Sequence, residues 1–225
     1  GDENRGRFAA ALIANHKPGF ATVYLTALDH EQHVSGPDTP QAKAVLERID
    51  AVVGTLIAAE RKAHPGAVIA VVSDHGFEPI STETSLFRAF IDAGLITLDS
   101  AGKVSGWEAM AWPSGGSAAV VVARPGDAAL VRKVGDLLER LKADPANGIA
   151  AIADAPETAR LGGNPQASFY VDFALGASAS NYAGKDAPLV KPSTYKGTHG
   201  YFPAAAHLRS TFMVMGKGVP QGLSL

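Results

Sequence analysis

Apolar positions along this chain follow two rhythms, short continuous runs rich in β-branched residues and longer stripes at helical spacing. After a short helical stretch over residues 7–15, the run "FATVYLTAL" at 20–28 predicts a buried strand. The next segment has a different character. "TPQAKAVLERIDAVVGTLIAAERKAH" opens with Thr39 as cap and Pro40 at the first helical position. It then repeats Ala44, Val45, Ile49, Val52, Val53, Leu56 and Ile57 at helical spacing until Pro65, which predicts a long amphipathic helix. "AVIAVVS" at 67–73 predicts a second buried strand. Strand, helix and strand at this spacing imply parallel strands joined by a right-handed crossover.

From Ser81 the pattern loosens into a short helix, "SLFRAFIDAG", ending at Gly94, and a loop region carrying Trp107 and Trp112. A clearer unit follows. It comprises "SAAVVVA", the helix "DAALVRKVGDLLERLKAD" with its stripe of Leu130, Val134, Leu137, Leu138 and Leu141, and the short strand "GIAAIAD". "ASFYVDFALG" reads as one more strand, and residues 177–198, rich in Ser, Gly, Pro and Lys, read as a loop too long to be mere connection. "STFMVMGKGVPQG" supplies a last apolar strand and glycine-rich turns.

Composition narrows the function classes more than it narrows the fold. With 46% hydrophobic and 19% charged residues, the chain of 225 is that of a folded globular protein with one sizeable core and room for a smaller unit. A formal net charge of -2 gives no electrostatic reason to expect a nucleic-acid duplex or a membrane surface as partner. The absence of cysteine excludes disulfides, thiolate catalysis and cysteine-ligated zinc within these residues. No segment has the length of a membrane span or the pattern of a signal peptide. The opening "GDENRGRF", without methionine, fits a piece of a longer polypeptide.

Three of the seven histidines stand in motifs that point one way. In "LDHEQHVSGP", Asp29 follows the predicted strand and His33 comes four residues later, a spacing that puts both on one side of a helical turn. His30 is a spare. In "SDHG", Asp74 and His75 lie just past a predicted strand, with Gly76 to permit a bend; the plain alternative is a capping aspartate beside a surface histidine. In "KGTHGYFP", His199 sits between glycines at the end of a polar loop, where a solvated histidine is the ordinary reading.

Taken in order, with "YLTALDHEQHVSGP", "VVSDHGF", "KGTHGY" and "STFMVMGKGV" around them, these motifs resemble the type I phosphodiesterase/nucleotide pyrophosphatase family of the alkaline phosphatase superfamily. The likeness is dense over residues 21–77 and 196–219 and thin between. It implies an α/β fold, an alkaline-phosphatase-like mostly parallel sheet flanked by helices and incomplete at its amino-terminal side, with a smaller α+β insertion. Residues 1–100 and 190–225 would belong to the metal-binding catalytic domain and 101–189 to the insertion. The resemblance makes Asp29, His33 and His199 ligands of one zinc, and Asp74 and His75 ligands of a second. Two divalent ions about 4 Å apart clamp the attacking and leaving oxygens of an in-line displacement at phosphorus. The implied substrate is a small phosphoester or nucleotide, the implied location periplasmic, secreted or membrane-tethered, and a homo-oligomer is compatible with it.

The chain departs from the family at Gln32, where glycine is usual, and at Ala27, where proline is frequent. Asp50 on the long helix reads as structural. The family's first metal aspartate and its threonine or serine nucleophile lie upstream of the Asp-x-x-x-His motif, where this chain offers only Asp2, Thr22 and Thr26 and no evident strand-to-helix turn. The expectation is therefore five metal ligands without a nucleophile. A phosphonate hydrolase, a phosphomonoesterase and a non-catalytic, metal-poor fragment are the alternatives. Trp107 and Trp112 read as core filler or stacking platforms, "PSGGS" at 113–117 as a turn in preference to a phosphate cradle, and Tyr195 and Lys196 as loop residues beside His199.

Overall fold

A computed structural model of the chain describes residues 1–182 and 184–222; Ala183 of the expected insertion and residues 223–225 of the expected catalytic segment lie outside the described residues. The fold is α/β, and the chain divides into two compact units, Gly1–Phe77 with Arg209–Leu225, and Glu78–Leu208.

The first unit holds α1 (Asp2–His16), α2 (Ala27–Ser35), α3 (Pro40–Ala63), β1 (Val68–Val72) and, from the end of the chain, β13 (Phe212–Gly216). Helix α3 forms where its local signals put it. Thr39 Oγ1 accepts from Ala42 N at 3.2 Å, Pro40 fills the first turn, and Arg61 and Lys62 face the negative end of the helix dipole. Helix α1 packs against α3 closely enough that a Cβ on Gly6 would lie 2.4 Å from Val52 Cγ1. Asp2, only 5% exposed, receives Arg5 Nη1 at 3.0 Å on one oxygen and Ala27 N at 2.8 Å on the other, so it caps the start of α2 from a distance.

Two expectations change here. Residues 20–26 form no strand; Phe20 is 85% exposed and Tyr24 is exposed too. An apolar run becomes a strand only when a neighbour takes its backbone hydrogen bonds, and among the described residues none pairs with it. Strand β1 does form, but it pairs antiparallel with β13, from Val68 opposite Gly216 to Val72 opposite Phe212, and has no parallel partner across a crossover among the described residues. Nor is it buried: Val72 is 62% and Phe212 60% exposed.

The second unit contains β2 (Glu78–Pro79), β3 (Thr82–Thr84), α4 (Leu86–Asp92), β4 (Ile96–Leu98), β5 (Val104–Trp107), β6 (Ala109–Ser114), β7 (Ser117–Val122), α5 (Ala128–Ala143), β8 (Ile149–Asp154), α6 (Ala155–Arg160), β9 (Phe169–Phe173), β10 (Ala177–Ala179), β11 (Val190–Pro192) and β12 (Gly197–Thr198). Its centre is the antiparallel sheet β6-β7-β9-β8, with α4 and α5 packed beside it. Ser85, Asp127 and Asp154 cap α4, α5 and α6 through their side chains. Phe90, Leu86, Leu95, Val120, Val134, Leu138, Val171 and Phe173 are fully buried in one cluster, each contributing about 1.5–3 kcal/mol by leaving water.

The predicted Trp loop is instead the strand succession β4, β5 and β6, whose mixed residues hide the alternation. Both tryptophans are exposed, so neither fills a core. The predicted long loop at 177–198 is interrupted by β10 and β11, which flank β3, and by β12 on β2. Every ladder among the described residues is antiparallel except β10 on β3.

Candidate metal centre

Within the first unit, α2 and the segment leaving β1 bring four ligand-type side chains together. Asp29 lies in the first turn of α2 and not at a strand end, and His33 stands in its last turn. The i, i+4 spacing sets His33 Nε2 3.7 Å from Asp29 Oδ1. His30, one position on from Asp29, is exposed.

The segment after β1 is pinned before it delivers its side chains. Ser73 N donates to Thr211 O at 3.0 Å, Thr211 N donates to Ser73 Oγ at 2.8 Å, and Ser210 Oγ donates to Asp74 O at 2.8 Å. His75 then turns so that Nε2 lies 3.5 Å from Asp74 Oδ1 and 3.9 Å from Asp29 Oδ1. Its Nδ1 sits 3.0 Å from Gly76 O. A carbonyl only accepts, so in the neutral imidazole that nitrogen carries the proton and Nε2 keeps the lone pair, the arrangement that orients a metal-ligating imidazole. Phe77 buttresses the pair, edge-on to His33 at 4.8 Å between ring centres and tilted against His75 at 5.7 Å.

The separations of 3.5, 3.7 and 3.9 Å are long for hydrogen bonds. Two ligand atoms on one tetrahedral ion, each bonded at about 2.0–2.1 Å, stand about 3.4 Å apart, near the Asp29–His33 and Asp74–His75 separations, whereas the His75–Asp29 distance is between ligands that the resemblance gives to different ions. Carboxylate oxygen and imidazole nitrogen at such spacing suit zinc or a similar divalent cation. The donor set therefore fits the implied metal, and the exposure of Asp74, 65% at its side chain, leaves it open to solvent.

His199 belongs to the second unit, directly after β12, and is half-buried. Its carbonyl accepts from Gly116 N at 2.7 Å. Beyond it Tyr201 donates its hydroxyl to Ala177 O at 2.7 Å, and burial, with Glu78 and Asp172 adding to it, pushes that phenol well above its ordinary range. A cavity of about 220 Å³ opens beside it, lined by Ser114, Ser117, Thr158, Tyr170, Tyr201 and Phe202. Tyr195 and Lys196 are exposed, as is Asp50 on α3.

Asp172, on β9, accepts from Phe202 N at 2.8 Å, and burial pushes its carboxyl up to about 6 despite that bond. The folded state thus prefers the protonated acid. The stability this preference gives is present below the ordinary carboxyl value near 3.9 and is lost as pH rises through about 6. Asp172→Asn keeps an acceptor for Phe202 N without the charge. It is expected to melt higher than the parent at pH 7, the difference shrinking to nothing near about pH 4; a constant difference across that window would count against the buried acid.

Two contributors have no sequence signal of their own: Asp2, which anchors α2, and Phe77, which packs on both histidines. Thr26 is a partial case. It occupies the N-cap of α2, with Arg5 Nη1 donating to its hydroxyl at 3.4 Å, so one of the upstream threonines does stand at a helix start, although among the described residues no strand precedes it.

The family model for type I phosphodiesterase/nucleotide pyrophosphatase matches residues 2–202. An uncharacterized pyrophosphatase/phosphodiesterase of Schizosaccharomyces pombe is 30% identical over 103 residues, 44% of this chain and 19% of that protein. Among solved structures, human ectonucleotide pyrophosphatase/phosphodiesterase 5 superposes with a TM-score of 0.64 at 19% identity, covering 96% of this chain and 52% of that one. An inactive murine counterpart in complex with AMP gives 0.65 at 19% identity over the same shares. Phosphonoacetate hydrolase from Sinorhizobium meliloti, in complex with phosphonoformate, gives 0.63 at 18%, covering 95% of this chain and 49% of that one. The chain spans about half the length of these solved relatives.

Proposed function

Because the chain belongs to the type I phosphodiesterase/nucleotide pyrophosphatase family, we propose that it carries one wall of a two-metal site that hydrolyses small phosphodiesters or nucleotide pyrophosphate bonds. The observation that carries this reading is the approach of His75 Nε2 to both Asp29 and Asp74, with His33 on the same Asp29 oxygen. By the family resemblance Asp29 and His33 would hold one ion with His199, and Asp74 and His75 would hold the second. Bound there, the ions would supply Lewis-acid stabilisation of the charge that gathers on phosphoryl oxygens during displacement. The protein's own part in the first unit is to hold four of these ligands in place: Asp29 and His33 on α2 through Asp2, and the Asp74–His75 bend through Ser73 and residues 210–211. Residues 1–100 and 190–225 serve catalysis in this reading, and 101–189 is the insertion.

The attacking hydroxyl is proposed to lie outside these 225 residues. The purified chain loaded with zinc is accordingly expected to show no turnover of a nitrophenyl nucleotide ester. Metal-dependent turnover that disappears in Thr26→Ala would put the nucleophile at the start of α2 instead. Likeness to a phosphonoacetate hydrolase keeps a phosphonate substrate as the second reading. A polypeptide that contains these residues and is active would separate the two by its preference between a phosphodiester and a phosphonate. An exported location goes with the family reading. No described helix is long and apolar enough to cross a membrane.

A further inference from the structure

We infer that the two-glycine turn at the tip of the β6–β7 hairpin is the element that positions His199 for its ion, an inference that rests on His199 being a ligand. Ser114 and Ser117 face each other in register, so Gly115 and Gly116 alone make the turn, Gly115 at φ +69°. The turn is tied down on its sheet side, Gly115 O accepting from Ala179 N at 2.8 Å and Gly116 O from Phe173 N at 2.9 Å. On its other side Gly116 N donates to His199 O at 2.7 Å. That amide is thereby committed to the histidine's own peptide and is not presented to a phosphate.

The two segments meet backbone to backbone. A Cβ on Gly115 would stand 2.3 Å from His199 O and 2.7 Å from Thr198 Oγ1, and one on Gly200, at φ +81°, would stand 2.2 Å from Ser114 O. One on Gly116 would stand 2.4 Å from the Tyr201 ring. The first and third obstacles are carbonyl oxygens of the main chain, which cannot swing aside as a side-chain end can. Glycine at 115 and 200 is therefore a requirement of space as well as of φ. Any side chain at 115 must push the His199 peptide away from the turn, and metal–ligand bond lengths stay within about 0.2 Å of their standard values. Gly115, Gly116 and Gly200 are positioning residues acting through His199.

The test is zinc affinity, measured by competition with a chromophoric chelator, for the parent, Gly115→Ala, His199→Ala and the double variant. Gly94→Ala serves as control, since Gly94 has φ +68° but no heavy atom within 4 Å of an added Cβ. Gly115→Ala is expected to weaken zinc binding about 10–100-fold, as loss of a ligand's supporting contact does. Gly94→Ala should leave binding unchanged, and Gly115→Ala should add nothing once His199 is alanine. Parent affinity in Gly115→Ala, or losses that multiply in the double variant, overturns the inference. If Gly115→Ala fails to keep the parent's near-ultraviolet circular dichroism, Gly116→Ala, whose nearest obstacle is the Tyr201 ring and not the His199 peptide, is expected to give a smaller loss of the same kind and the same non-additivity. Parent affinity in His199→Ala overturns the ligand assignment itself, a result distinguishable from failure of the turn alone.

Discussion

Replacing Asp74 and His199 together by alanine is expected to strip the protein of zinc. The pair is chosen because it removes one ligand from each proposed ion while leaving Asp29, His33 and His75 in place. A four-ligand structural zinc site is worth roughly 10–16 kcal/mol, so each ligand carries about 3 kcal/mol, a hundredfold or more in affinity. Each single variant should keep the ion whose ligands are intact; the double should keep neither. Elemental analysis after desalting is the measurement: about one or two zinc ions per chain in the parent, background in the double. His30→Ala, exposed on the same helix as Asp29, should retain the parent's zinc. Undiminished zinc in the double variant would sink the ligand assignment.

The pairing of Asp29 with His33 and of Asp74 with His75 was legible because it needs little beyond local structure. An i, i+4 pair works on any helical turn, so Asp29 and His33 share a side of α2 even though the run before them is not the strand it resembles. Helices α3 and α5 were legible for the same reason, their caps and stripes lying within their own residues. What the pattern could not carry was pairing. The runs at 20–28 and 67–73 have the composition of buried strands, yet burial and hydrogen-bonded partners come from elsewhere in the chain, and β1 meets only β13 among the described residues. "PSGGS" shows the same limit from the other side. It reads as a turn, but the reason for two glycines is a contact with residues 198–201, far along the sequence.

The two units differ in where their apolar residues end up. Phe8, Leu12, Phe20, Tyr24, Val68, Val72, Phe212 and Met213 of the first unit are exposed, whereas the second encloses a cluster of its own. The same type of residue should therefore matter very differently in each. Phe90→Ala removes a ring with no exposure from the middle of that cluster and is expected to cost about 3–5 kcal/mol, transfer and cavity terms together. Phe212→Ala, at 60% exposure on β13, should stay within about 0.5 kcal/mol. Both tryptophans lie in the second unit, so their fluorescence during urea unfolding reports that unit alone. The midpoint should fall sharply for Phe90→Ala and hold for Phe212→Ala. A comparable fall in both would mean that β13 supports the second unit's core as strongly as Phe90 does, and that the division of the chain at Phe77 and Arg209 does not separate its stabilities.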